Sequence, residues 1–247
     1  MILIIGGMGF IRLNTAMHLL EVGEQVVITQ YSSHRLPDLL TPSTGPPQRR
    51  GRYTRLLMAR VDVTNPHEAF DVVRRHQVDS IINFMAPPAR SLSTQADYHL
   101  YTAGLQIVLQ AAHTFGLRRV SLGSSISAYA GLSAGSYRED MPLPVDSPAQ
   151  VSAFKKGMEI HGLYYAARLN LELVSLRIAS IYGPLYYSMH NLVSRMCHAA
   201  VYRAEPDLSD RPDKSIFADD QGDWMYVKDV ARGIQMVHGA KTLHHNI

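Results

Sequence analysis

Apolar residues along the chain fall into two alternating patterns. Short, largely apolar runs occur at Ile2-Leu-Ile-Ile5, Gln25-Val-Val-Ile-Thr29, Leu56–Val61, Ser80-Ile-Ile-Asn-Phe84, Arg119-Val-Ser-Leu122 and Leu171–Ile178. Runs of this kind suit strands buried on both faces. Between them, apolar residues recur at helical spacing. Ile11, Leu13, Ala16, Met17, Leu19 and Leu20 mark one helix, which Gly23 ends. A second helix is expected to start at Pro66, capped by Thr64 or Asn65, and to run to about His76. Tyr98–Phe115 reads as one long helix closed by Gly116, and another spans about Ala149 to Asn170. Strands alternating with helices of roughly 10–20 residues predict an α/β fold, a doubly wound parallel sheet of Rossmann-like type. After Gly183-Pro184 the alternation loosens. Residues 1–182 therefore read as one domain and 183–247 as a smaller C-terminal lobe interleaved with it.

The first chemistry lies in the first turn. Gly6-Gly-Met-Gly-Phe10 follows a strand and opens a helix. Glycines there permit a tight turn and let a pyrophosphate approach backbone N–H groups, while the helix N-terminus adds partial positive charge. The context is what makes the glycines informative; alone they would describe an ordinary βα turn.

Composition narrows the partners. A chain of 247 residues can bury a full core without staples. One cysteine, Cys197, excludes a disulfide framework and a cysteine-rich zinc site. His244-His245 have no third ligand at a useful spacing, so no metal is expected. Lys and Arg number 24 against 21 Asp and Glu, a net +3. That excess does not by itself imply a nucleic-acid partner. The local cluster Arg49, Arg50, Arg52 and Arg55 reads better as a solvated loop. No apolar run approaches the roughly 20 residues that cross a bilayer, and no secretory leader opens the chain. A cytoplasmic protein with no membrane association is expected.

From residue 2 onward the chain resembles the NAD-dependent epimerase/dehydratase family, the extended short-chain dehydrogenases. Ile-Ile-Gly-Gly-Met-Gly-Phe-Ile is similar to the family's opening, whose G-x-x-G-x-x-G spacing falls on Gly6, Gly9 and position 12. Leu176-Arg-Ile-Ala-Ser-Ile181-Tyr-Gly-Pro184 resembles the segment that closes over the nicotinamide. Asp223-Trp-Met-Tyr-Val-Lys-Asp-Val-Ala231 resembles a later family stretch. The resemblance implies NAD or NADP as cofactor, held by Gly6, Gly9, Phe10 and Ile11 at the phosphates. Gln30 falls where an acidic residue usually reads the ribose, and Arg35 reads equally as a partner for a 2′-phosphate or as a solvated Arg in a polar loop. Asp62 and Val63 match the adenine-contacting pair. Phe84, Met85 and Ala86 match the stretch after strand four, where the bulk of Phe84 and Met85 would narrow the channel. Ile181 completes the set, and Asn191 matches a substrate-lobe Asn.

At the catalytic positions, Gly123-Ser-Ser-Ile-Ser-Ala-Tyr129 resembles the Ser-rich stretch whose Ser precedes Tyr by four, which selects Ser125. Its alternative is a Ser that caps its own loop. The family's Tyr-x-x-x-Lys pair selects Lys155, followed by Glu159, as the lysine that bonds the ribose. Position 151 is Val, and the register of Lys156 gives Ser152, so neither supplies the tyrosine. Tyr129, Tyr137, Tyr164, Tyr165 and His161 are the candidates to replace it. Position 12 is Arg rather than the third glycine, and it must point outward, push the helix away or reach the phosphates. Gly222 stands where nucleotide-sugar members carry a diphosphate-binding Arg.

The implied function is epimerase, dehydratase or dehydrogenase chemistry on a sugar or nucleotide sugar. The alternative is a catalytically impaired protein of the same fold that holds or senses NAD(P). The family's dimers imply a homodimer built on the helices at 98–115 and around Lys155, with Leu105, Val108, Leu109 and Tyr164 in the contact. The family continues beyond a Tyr-Asn-Ile-Gly strand, which falls at His245-Asn-Ile247, so the chain is expected to end inside the substrate lobe.

Overall fold

The four residues of β1 (Ile2–Ile5) are buried on both sides. Ile2 and Ile4 point into one apolar cluster, Leu3 and Ile5 into another. That division sets the architecture, because each face must be covered by helices. The computed structural model describes residues 1–7, 9–31, 55–87, 93–133, 135–147, 149–186, 188–189, 191–209 and 222–241. The other strands of the main sheet are β2 (Val26–Gln30), β3 (Leu56–Arg60), β4 (Ser80–Asn83), β5 (Arg119–Ser125) and β6 (Leu173–Ile178). All are parallel, in the order β3-β2-β1-β4-β5-β6.

The helices are α1 (Phe10–Glu21), α2 (Pro66–Arg75), α3 (Thr94–His99), α4 (Leu105–Thr114), α5 (Gln150–Leu169), α6 (Leu192–Tyr202) and α7 (Val227–Gly239). One face of the sheet packs on α1 and α7 through Leu13, Ala16, Leu19, Leu20, Val230 and Ile234. The other packs on α2, α4 and α5 through Val72, Val73, Leu105, Leu109, Met158 and Ala166. Strands β7 (Ser180–Tyr182) and β8 (Trp224–Tyr226) form a separate parallel pair. Asn65 caps α2 by accepting from the His67 N–H at 3.0 Å, so the cap is Asn65 and not Thr64.

Two expectations are corrected here. The long helix over 98–115 is broken by a wide π turn at Leu100–Gly104 between α3 and α4. Gly104 faces the Met85 Sδ and Val63 side chain, where a Cβ would meet them at 3.3 and 3.4 Å. Leu105, Val108 and Leu109 face the core, between 0 and 3% exposed, so they are not available to a partner subunit. Among the described residues of α5, Ile160 and Tyr164 are the large apolar side chains left exposed on one face, at 63 and 59%. No helix among the described residues is long and apolar enough to cross a membrane.

Candidate functional site

The order β3-β2-β1-β4-β5-β6 reverses direction between β1 and β4. In open α/β sheets, the crevice beyond the strand ends at such a switch point is where ligands bind. Gly6 follows β1 and Phe84 follows β4, so both lie at that crevice. Gly6 has φ +115° and Gly7 φ +81°, conformations that side-chain-bearing residues resist. A Cβ on Gly6 would also stand 2.5 Å from the Phe84 carbonyl oxygen. The Gly6 N–H donates to the Thr29 hydroxyl at 3.3 Å, which ties the turn to β2.

Helix α1 then opens with no acidic residue in its first turn and no side-chain cap from Gly9. Its first N–H groups have no helical acceptor. At the end of β2, Gln30 is 8% exposed, and its Oε1 has no hydrogen-bond partner among the described residues. Free donors at a helix start and an orphaned acceptor on the next strand fit a group carrying phosphates and hydroxyls. The residues present therefore fit a dinucleotide.

The remaining positions named from the sequence have varied surroundings. Phe10 and Ile11 are half-buried, and Phe10 tilts against Tyr186 with ring centroids 4.7 Å apart. Asp62 turns its carboxylate back onto Thr64, accepting from the Thr64 N–H at 2.9 Å and from its hydroxyl at 2.6 Å. Val63 is buried in the core. Phe84 and Met85 do not narrow a channel: their side chains are 5 and 1% exposed and belong to the clusters on opposite sheet faces. They offer the crevice backbone only, and Ala86 beside them is exposed. Ile181 is likewise in the core, at 7% exposure. Asn191 caps α6 and donates to the Ile181 carbonyl at 3.0 Å. Arg35 lies outside the described residues, as do Arg49, Arg50 and Arg52. Arg55 donates to the Leu20 carbonyl at the end of α1.

Of the three courses named for it, Arg12 does not take the outward one. It curls back over the glycine turn and donates from Nε (3.1 Å) and Nη2 to the Phe84 carbonyl. Burial lowers its pKa to about 10, so it stays charged at neutral pH.

Beyond β5 the groups engage one another. Ser125 accepts from the Ser127 N–H at 3.1 Å, capping the short turn Ile126–Tyr129. Lys155 donates to the Gly123 carbonyl, and its pKa is lowered to about 8 by burial and then by Arg12. Lys156 is buried and donates to the Ala130 and Asp146 carbonyls. Glu159 attracts Lys155 from a distance but makes its direct bonds elsewhere. It pairs with Arg177, the two side chains 3 and 5% exposed, and accepts from Ser124.

Tyr129 donates to the Arg138 carbonyl at 2.9 Å and accepts from Arg177 at 2.8 Å, while Arg177 lies over its ring. Its phenol is thus held inside the fold. Val151, at the tyrosine's position, is 54% exposed in the first turn of α5. Arg177 was missed by the sequence reading, though it is the Arg of the Leu176-Arg177 pair that carried part of the resemblance.

A model of the NAD-dependent epimerase/dehydratase family matches residues 2–246. The chain belongs to this family. A dTDP-glucose 4,6-dehydratase of Actinoplanes sp. is 25% identical over 253 residues, covering 97% of this chain and 72% of the relative. The fold is shared with a GalE-like L-threonine dehydrogenase of Cupriavidus necator in its holo form, with TM-score 0.78, 22% identity, and coverage of 100% of this chain and 77% of the other. It is also shared with a dTDP-glucose 4,6-dehydratase of Bacillus anthracis in complex with NAD, with TM-score 0.77, 20% identity and coverage of 100 and 74%. Family membership and the parallel sheet agree with the resemblance drawn from the sequence.

Proposed function

We propose that this chain binds a nicotinamide dinucleotide at the Gly6–Gly9 turn and acts, slowly, as an epimerase- or dehydratase-type oxidoreductase on a nucleotide sugar. The observation that carries this reading is the open first turn of α1 at the β1/β4 switch point. The dehydratase relative supports the substrate class. The Gln30 side chain, with Oε1 unpaired among the described residues, suits a ribose hydroxyl of NAD or NADP. We assign residues 1–182 to the dinucleotide half and 183–247 to the substrate half, with α7 returning to cover α1. A cytoplasmic homodimer using Ile160 and Tyr164 of α5 belongs to the same proposal.

The dinucleotide would supply a hydride acceptor and donor. Phe10 and Ile11 would present backbone N–H groups to its phosphates, and Asp62 and Val63 would flank the adenine. Lys155, already aimed at the β5 end, would hold the ribose. The Ser125 hydroxyl can donate to a substrate oxygen while its oxygen caps Ser127.

At the family's tyrosine position the site has no phenol for the proton. Val151 cannot transfer one, and positioned acid–base groups are typically worth about 10²–10⁴-fold. A second reading, a dinucleotide-holding protein without turnover, draws on the same Val151 and on the engagement of Tyr129. Calorimetry with NAD and NADP, followed by turnover assays on a panel of nucleotide sugars, tests both. We expect saturable NAD binding and weak turnover that Val151→Tyr raises about 10²-fold or more. The α5 spacing puts a residue at 151 on the same helix face as Lys155. NAD binding with no turnover in either protein would leave the second reading standing. No binding of either cofactor would overturn both.

A further inference from the structure

The family's third glycine is replaced here by a cation, and the structure shows where that cation goes. From the first turn of α1, the Arg12 guanidinium folds back across the switch point to the Phe84 carbonyl. Nη1 lies over Gly9 on the side where a Cβ would stand, and Nε lies 2.8 Å from the corresponding point on Gly6. The two glycines thus leave room for a guanidinium within the turn itself. No ion pair among the described residues involves Arg12.

A second cation stands nearby: Lys155 is held on the Gly123 carbonyl of β5, next to β4. The carboxylate four residues after it, Glu159, is bound to Arg177 and Ser124. Two desolvated cations thus rest on carbonyl groups at neighbouring strand ends. Lys155 still feels the attraction of Glu159, but Arg12 has no counter-ion among the described residues; a partly buried cation of that kind is costly, and an anion placed beside it would offset that cost. A guanidinium presents its donors in a fork that matches phosphate oxygens. Gln30, buried and without a partner for Oε1 among the described residues, adds an unpaired acceptor at the adjoining end of β2.

We propose that Arg12 is a diphosphate-binding residue, a side-chain ligand added to the backbone donors of the glycine turn. The proposal rests on the dinucleotide reading above for the identity of its natural ligand. In it, Nη1 and the first N–H groups of α1 receive phosphate oxygens together.

The test is titration calorimetry with NAD, ADP, inorganic pyrophosphate and adenosine on the wild type, Arg12→Met, Arg12→Lys and Arg12→Gly, each checked for folding by circular dichroism. A lost charge-assisted hydrogen bond should cost Arg12→Met about tenfold or more in affinity for the three phosphate ligands and little for adenosine. Arg12→Lys should fall between it and the wild type, which keeps the test valid if the Met variant is poorly folded. Arg12→Gly, which restores the third glycine, should also bind less tightly than the wild type. Tighter NAD binding by Arg12→Gly would show that the guanidinium obstructs the turn and would overturn the proposal, as would NAD binding unchanged across the series. Pyrophosphate binding that depends on Arg12, with no NAD binding, would support the proposal and overturn the dinucleotide reading. Absence of all binding would overturn both.

Discussion

The two ends of the crevice treat their polar groups in opposite ways. At the β1–β2 end, the first N–H groups of α1 have no helical acceptor or side-chain cap, and Gln30 Oε1 is orphaned. At the β5–α5 end, Ser125, Lys155, Lys156, Glu159 and Tyr129 each have a partner within the fold, although Ser127 Oγ in the same turn is buried without one among the described residues. Buried polar groups without partners are rare, because leaving one unpaired costs about 1–3 kcal/mol. An open end therefore points to a ligand, whereas a closed end stabilises the chain whether or not a ligand arrives. The family's tyrosine is absent from the closed end, where Val151 stands exposed. On the proposed function, the open end would take the dinucleotide, while the closed end lacks the tyrosine that would move the proton.

The comparison can be broken most severely in the closed half. Arg177→Met leaves Glu159 charged, buried and short of its partner, and should cost about 3–5 kcal/mol of stability in denaturant unfolding. A loss below 1 kcal/mol would mean that the network is not the structural anchor described. Next in size is Gly6→Ala, in the open half. The positive φ and the nearby Phe84 carbonyl should cost about 1–3 kcal/mol and remove NAD binding together. If binding survives at wild-type affinity, the ligand does not use this turn.

A third test lies at the other end of the strands, where β5 begins. His238, 1% exposed, has Nδ1 2.8 Å from the Ser121 hydroxyl, and Arg118 and Arg119 clamp the carbonyls around it. Burial, and then the two arginines, lower its pKa to about 3. Between pH 6.5 and 3 the unfolded chain binds a proton there that the folded chain refuses. Stability is therefore full above pH 6.5 and falls with acidification by up to about 1.4 kcal/mol per pH unit from this group. His238→Asn should flatten that slope in urea melts run across the window. The smallest effect is expected for Ser125→Ala: about 1 kcal/mol from loss of the cap on Ile126–Tyr129, with NAD affinity unchanged.

Much of the fold is legible because the strands announce themselves. Ile2–Ile5 and Ser80–Asn83 are short and apolar, and the only cover for two buried faces is helices on both sides. The break at Leu100–Gly104 is not legible, since the side chains packed against Gly104, Met85 and Val63, arrive from distant parts of the chain. The Leu105, Val108 and Leu109 stripe misleads for a related reason: helical spacing marks a buried face without saying whether core or partner covers it.

In the site, the glycine turn is readable from local sequence, and so is the absence of tyrosine at Val151. The path of Arg12 is not, because its acceptor lies 72 residues away on Phe84. Glu159 follows the same rule. Its position four residues after Lys155 suggests a helical neighbour, yet Arg177 from β6 reaches it with a bidentate fork.

The contrast between the two ends is tested most directly by amide hydrogen exchange with and without saturating NAD. The account predicts slowed exchange at the N–H groups of Gly9–Arg12, which acquire acceptors only from the ligand, with little change in the body of α5 beyond Lys155. Protection confined to α5, or none at the glycine turn while NAD is bound, would contradict it.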